Sequence, residues 1–467
     1  MGDVLKNNRG LRAQSETIGA ALILLFLVKP TIDILWFLPF FSIGGKQINT
    51  LHLTGILVLL YFGRYLFVFR GMSPPYAWVF KLFIVINFIS VFVTAYHEPV
   101  GFIPVVDLML RMLDSLIIFS AAYYAALYCS RDYYYKLVKA ISIGAFVALT
   151  FNFVAILMGY EGREVTSGTT HRISGLYYDP GVLANVAVYA IVFTVFMGNM
   201  LPDRNIMRKL HAGLVTMMAL YVIYTGLSRA AIVLLGAFGV IYITLFKKGV
   251  LGRIVPPLIL GGMLVLGAIS GMDYVNYVDR FGSEIAVFSD SNERQTNTDK
   301  SVDLGKYEGL GSNRGQLIAY MLDDFIKRPT YQQLIGNFNI TRAHSDYFDV
   351  LSRNGYIGLA VYVGMLLLIW KKALGYTLRR KDQTQEWKIS VLGFTLISMY
   401  ILYAFPHRPL YYTTIAWFMW AILGCMFAAA QRKGDKDNGE QVDTGEPVKV
   451  MRIIPKKSSR IIGSQQG

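Results

Sequence analysis

The chain has 467 residues, 54% of them hydrophobic and 16% charged, with two cysteines and a formal net charge of +15. A soluble multi-domain protein of this length carries more charge, and a transmembrane β-barrel shows short alternating segments in place of long apolar runs. Both classes are excluded in favour of an all-α polytopic membrane protein, whose basic excess reads as cytoplasmic connections and not as a nucleic-acid partner.

In chain order, residues 1–16 are polar and basic and are expected to form a cytoplasmic N-terminus. Apolar runs long enough to cross a bilayer follow at 17–40, 50–70, 77–97, 103–128, 136–159, 181–199, 211–225, 229–247, 252–272, 347–371, 388–405 and 409–430. That makes about twelve spans. The first run leads into further spans, so it reads as a retained helix and not a cleaved signal peptide. The seventh and eighth share one apolar block, broken by TGLSR, and each is short for a span. Cys129 and Cys425 sit at the ends of apolar runs and suggest neither a metal site nor a required disulfide.

With the N-terminus in the cytoplasm, the inner connections carry Arg70, Arg131, Lys136, Arg204, Lys247, Lys371 and Arg379, among others. The outer GGKQINT and HEPVG are nearly bare. This is the charge asymmetry that fixes topology, and an even number of spans returns the C-terminus to the cytoplasm. The expected organisation is spans one to nine within 17–272, a large periplasmic loop over 273–346, spans ten to twelve within 347–430 and a disordered cytoplasmic tail over 431–467. Loops this long are usually functional. Within it, RGQLIAYMLDDFIKRP reads as an amphipathic helix with Leu317, Ile318, Met321 and Phe325 on one side, to lie on the membrane surface or fold back over the bundle.

On this topology four cationic or titratable residues collect at the outer boundary: Arg172 in THRISGLYYDPG, Arg229 in GLSRAAI, Arg314 in GSNRGQLI and His344 in AHSDYFDVLSRNGYIG. Three lie at expected helix N-termini, where free N–H groups favour an anion, and the arginine fork suits phosphate oxygens. Each alone would be read as a snorkelling or paired cation; together they outline a pocket for a lipid-linked phosphate or diphosphate. Beside them, a neutral His344 would accept a proton from an attacking hydroxyl. No set of residues has metal-ligand spacing, and adjacent Asp323 and Asp324 do not face one another, so no metal and no cofactor is expected. Tyr177, Tyr178 and Asp179 are candidates for glycan or acceptor contact, and His407 and Arg408 for the pocket border. Lys29 with Asp33, and Asp107 with Arg111 and Asp114, share helix faces. They read as interhelical glue, with Arg111 lining the outer pocket as the alternative.

His344, Ser345, nine residues, Gly355, two residues and Gly358 resemble the His-Asn/Ser/Gln-x9-Gly-x-x-Gly signature of the O-antigen ligase and O-antigen polymerase superfamily. Arg314 with Ile318 resembles its Arg-x-x-x-Leu element, with isoleucine for leucine. RISGLYYDPGVLAN resembles its Asn/Asp-Pro-Asn-x-x-Ala segment, with Gly181 where asparagine is common, and GLSRAA its Ser-Arg-Gly/Ala element. The resemblance implies a metal-independent, GT-C type glycosyltransferase of the bacterial inner membrane, acting at the periplasmic face on a glycan carried by undecaprenyl diphosphate. Arg172, Arg229 and Arg314 would hold the diphosphate and His344 would activate the acceptor hydroxyl. The acceptor would be another carrier-linked glycan (a polymerase) or lipid A core (a ligase). The Asp-Pro form and the Tyr177–Tyr178 pair lean towards the polymerase. A transporter or flippase of the same lipid-linked unit is the reading from another class. Membrane lipids are expected partners, and family analogy adds a chain-length regulator. Gly355 and Gly358 are expected to let their helix pack closely on a neighbour.

Overall fold

The computed structural model describes residues 2–35, 39–43, 46–68, 74–100, 102–130, 132–160, 162, 173–177, 179–200, 206–226, 228–246, 314–338, 345–379 and 384–437. Among them the chain is a helical bundle: α1 (Gly2–Ile34), a hairpin of β1 (Pro39–Ile43) and β2 (Lys46–Asn49), α2 (Thr50–Val68), α3 (Ala77–His97), α4 (Phe102–Tyr128), α5 (Asp132–Leu157), α6 (Pro180–Met200), α7 (Ile206–Thr225), α8 (Arg229–Leu245), α9 (Arg314–Lys327), α10 (Thr330–Ile335), α11 (Asp346–Arg379), α12 (Gln385–Tyr403), a 3₁₀ turn (Pro409–Tyr411) and α13 (Thr413–Asp437). Eight described helices are long and apolar enough to cross a membrane, so the all-α polytopic expectation holds. Every expected span except the ninth coincides with a helix; 252–272 lies outside the described residues.

Three boundaries differ from expectation: both ends of the first helix, and the last, where α13 runs on to Asp437 into the start of the segment expected to be a disordered tail. The first helix begins at Gly2, within the segment read as polar, and Arg12 Nε donates to Glu16 Oε1 at 3.0 Å across one turn. It stops at Ile34, and apolar Pro39–Ile43 pairs antiparallel with Lys46–Asn49.

The layering follows from which helices are apolar all round. In α6 and in α13 from Ile415 to Ala429 nearly every residue is buried, as expected of helices enclosed by others. The backbones of α13 and α4 come close: a side chain at Gly424 would meet the Phe119 carbonyl. Peripheral α3 instead exposes Trp78, Leu82, Val85, Ile89, Phe92 and Tyr96. This spacing of three and four draws one apolar stripe down the helix, a face that suits acyl chains.

The sharpest departure is in α11. Gly355 has φ +65° and ψ −166° and divides the helix into legs 346–354 and 356–379. A straight helix would hold Asp346 and Tyr362 about 24 Å apart, yet the Tyr362 hydroxyl donates to Asp346 Oδ2 at 3.0 Å. The chain therefore doubles back at Gly355. The second leg, about 36 Å long, makes the crossing. The first lies over the end of the bundle and buries Asp346, Asp349, Ser352, Arg353 and Asn354. A Cβ at Gly355 would run into the Leu334 and Gln333 carbonyls, and one at Gly336 (φ +89°) into the Arg353 backbone. Gly355 thus admits α10 against the kink instead of joining two spans. At Gly358 a Cβ would strike Asn354 across the kink and lie 3.6 Å from Ile86 Cγ2 of α3.

Candidate functional site

Five sequence-distant segments meet at one end of the bundle. Asp179 precedes Pro180 at the start of α6, and its Oδ1 accepts from Gly181 N at 2.6 Å and Val182 N at 3.2 Å, a side-chain cap on free helix donors. A side chain at Gly181 would reach 2.8 Å from the His407 ring; glycine there makes room for the α12–α13 turn. His407 is buried, with its ring 4.5 Å from that of Tyr403. Its carbonyl and that of Ala404 each accept from Asp346 N at 3.0 Å. Ser345 Oγ donates to Ala404 O at 3.1 Å, and Asp346 Oδ2 also accepts from Leu410 N at 3.0 Å. The two residues that follow His344 are thereby bolted to the turn that carries His407 and Arg408.

The remaining segments close the same end. The TGLSR turn between α7 and α8 sits against the 173–180 segment: a Cβ at Gly226 would lie 3.6 Å from the Pro180 carbonyl oxygen and 3.8 Å from that of Ile173. Ser228 caps α8 by accepting from Ala231 N at 3.4 Å. The Tyr177 hydroxyl donates to Pro30 O at 3.0 Å, joining this segment to α1. Lys29, fully buried, pairs with Asp33, donates to Thr413 Oγ1 at 3.2 Å and lies 4.9 Å from the Trp417 ring centroid. A buried cation in a span needs partners of this kind.

Of the expected site residues, Arg172, Tyr178 and His344 lie outside the described residues. Arg229 and Arg314 are the first residues of α8 and α9, and nothing is described of their side chains. The immediate chain neighbours of Arg172, Arg229 and His344 (Ile173, Ser228 and Ser345) belong to the end just described. No described contact brings Arg314 there. Arg111 is half-buried and interacts electrostatically with Lys29, as does Asp114. Arg111 meets Lys29 as a like charge and Asp114 meets it as an opposite one; the side chain of Asp107 lies outside the described residues. Tyr177 is only 2% exposed, and its hydroxyl bond to Pro30 braces this segment against α1. Asp179 acts first as a helix cap. Sequence reasoning passed over Asp346, which joins the histidine segment to the last turn; it closes the segment read as a loop, where an acidic residue carries no signal.

Farther along the first leg, Arg353 Nε pairs with Asp349 Oδ2 at 3.2 Å, and the guanidinium lies 5.2 Å from the Phe338 ring. Buried Arg328 donates to Asp324 Oδ2 at 2.5 Å and to Ser352 O at 3.0 Å, fastening α9 to this leg. Asn337 N donates to Ser352 O at 3.0 Å and Phe338 N to Thr94 Oγ1 at 2.9 Å. The end so built is polar scaffolding beside the arginine-headed start of α8 and the residues that follow His344.

Residues 214–363 match the family model described as O-antigen ligase. The match runs from α7 through α8, α9, α10 and the kink of α11 and covers about a third of the chain, a likeness that supports the resemblance to the O-antigen ligase and polymerase superfamily. No curated protein matches the chain.

Proposed function

We propose that this O-antigen ligase/polymerase-type membrane enzyme transfers a glycan from undecaprenyl diphosphate to an acceptor hydroxyl at the periplasmic face, and that it is a polysaccharide polymerase. One observation carries the reading: the O-antigen ligase domain runs over both arginine-headed helices and the histidine signature. On this reading the protein sits in the bacterial inner membrane with both termini in the cytoplasm, and a chain-length regulator is a partner by family analogy.

The acceptor oxygen attacks the anomeric carbon of the donor. The bond from that carbon to the phosphate oxygen breaks, undecaprenyl diphosphate leaves with the bonding pair, and the acceptor proton passes to His344. Arg172, Arg229 and Arg314 hold the charge that develops on the leaving oxygens, in a site that excludes water. The proposed transfer needs no metal. Ser345 and Asp346 fix the histidine segment against the His407–Arg408 turn, which borders the acceptor side. A ligase using lipid A core as acceptor is the second reading, favoured by the family's own description.

Purified protein in nanodiscs, given an undecaprenyl-diphosphate-linked repeat unit with and without lipid A core, separates the two. A ladder formed without the core supports the polymerase; one transfer that requires the core supports the ligase. Movement of the donor across the membrane with no new glycosidic bond supports a transporter. His344→Ala is expected to lower transfer about 10²- to 10⁴-fold, the usual worth of general base catalysis, with donor binding retained. Arg229→Ala is expected to weaken donor binding about tenfold or more. Transfer retained by His344→Ala removes the histidine from this role.

A further inference from the structure

We infer that the α9–α10 hairpin is seated in the lipid surface, with Ile326, Tyr331 and Leu334 against the acyl and headgroup layer of the outer leaflet. The inference does not depend on the glycosyl transfer proposed above.

The face of α9 is divided in three. Met321, Phe325 and Arg328 are buried against the bundle. Asp323 and Lys327, paired at 2.5 Å, point away from it, with the Lys327 side chain 71% exposed. Between these sectors Ile326 is 62% exposed. A helix in water next to a protein needs a buried face and a polar face; a third, apolar and open, is the mark of a helix that also touches lipid. The short α10 has no buried residue and exposes Tyr331 and Leu334, and the Gly336 and Asn337 that follow it are buried.

This open apolar sector continues a surface that already faces lipid. The α3 stripe descends to Tyr96, whose neighbour His97 meets the Tyr331 ring at 4.8 Å. On the other side Phe325 meets Tyr356 edge-on at 5.2 Å. Tyr356 and Ile357 are half-exposed and begin the crossing leg of α11. The Leu334 carbonyl lies against Gly355 at the top of that leg. Ile326 and Leu334 thus stand where two lipid-facing helices leave the membrane. The exposed tyrosines 96, 331 and 356 cluster at that level, as aromatic side chains do at the membrane–water boundary. The hairpin would sit about 5–10 Å into that boundary.

Ile326→Cys, Leu334→Cys and Lys327→Cys would each carry a nitroxide in the full-length protein, reconstituted into phosphatidylglycerol–phosphatidylethanolamine vesicles. The native cysteines are buried, and burial pushes the Cys129 thiol up to about 11, so the introduced thiols label selectively. Relaxation by oxygen and by a water-soluble nickel chelate is then compared. The expected result is an oxygen-to-nickel ratio several-fold higher at 326 and 334 than at 327. Ratios at 326 and 334 equal to that at 327 mean the hairpin stands in water and overturn the inference. Low accessibility to both reagents means that protein covers the face, and overturns it equally. If a cysteine variant fails to insert, quenching of Leu334→Trp by bromine-labelled acyl chains decides: quenching supports lipid contact, and its absence rejects it. Transfer activity is measured on the same samples, so a failed lipid contact and a failed transfer assay are read separately.

Discussion

At the scale of single residues, Gly355 carries more of the site than its apolar surroundings suggest. Its φ of +65° is strained for any residue with a side chain, and a Cβ there would strike the Leu334 carbonyl. Gly355→Ala is therefore expected to cost on the order of 2 kcal/mol or more. Because the kink brings Asp346 to Tyr362, opening it would also swing the segment that follows His344. The check is thermal unfolding of the detergent-solubilised protein beside Gly364→Ala, a helical glycine with open space around it. Equal melting temperatures for the two variants would show that the kink is not held by Gly355. The sequence displayed this glycine within a family signature, but not its conformation. The apolar pattern runs on through 347–371, and a left-handed backbone leaves no trace in hydrophobic periodicity. The same limit hid the use of Gly181, whose missing side chain is filled by His407, a residue 226 positions away by subtraction of the sequence numbers. Arginines at helix starts were legible, because a cation interrupting an apolar block is itself the signal.

At the scale of elements, the loop helices are held by few but buried polar bonds. Arg328 reaches both Asp324 on its own helix and the Ser352 carbonyl on the first leg of α11. Its guanidinium also lies 5.2 Å from the Phe325 ring centroid. Arg328→Ala leaves the Ser352 carbonyl without this donor and removes stem packing as well. The expected outcome is a hairpin that opens locally while the bundle stays folded. Limited proteolysis should then cut near 327–330 several-fold faster, with the unfolding temperature little changed; unchanged cleavage would mean that the Arg328 bonds do not hold the hairpin. The amphipathic character of α9 was legible from its spacing. Its docking partner was not, since the 346–354 leg was read as the start of a straight span. The end of α1 was missed for a related reason: composition cannot distinguish an apolar strand such as Pro39–Ile43 from the tail of an apolar helix.

At the scale of the whole molecule, polar ties fasten the helices at both ends of the bundle. At the end away from the site, Cys129 Sγ donates to Ser15 O at 3.4 Å, Arg432 to Leu127 O at 2.9 Å and Lys388 to Asn199 O at 2.5 Å. At the site end, the Lys29–Asp33 pair joins α1 to α13 through Thr413. Both side chains are almost wholly buried, at 0% and 4% exposure, so each charge depends on the other. Removing one partner from such a pair typically costs about 3–5 kcal/mol, while replacing both with apolar groups of similar volume is often neutral. Lys29→Met and Asp33→Leu are therefore each expected to lower the melting temperature sharply, and the double variant to recover much of the loss. A structural tie also predicts that the double variant keeps glycosyl transfer once it is folded. A transporter whose cycle protonates or opens this pair predicts the reverse: a stable double variant with no turnover. Thermal unfolding and transfer measured on the four proteins of this cycle separate the two accounts, and additive losses would show that the pair is not coupled at all.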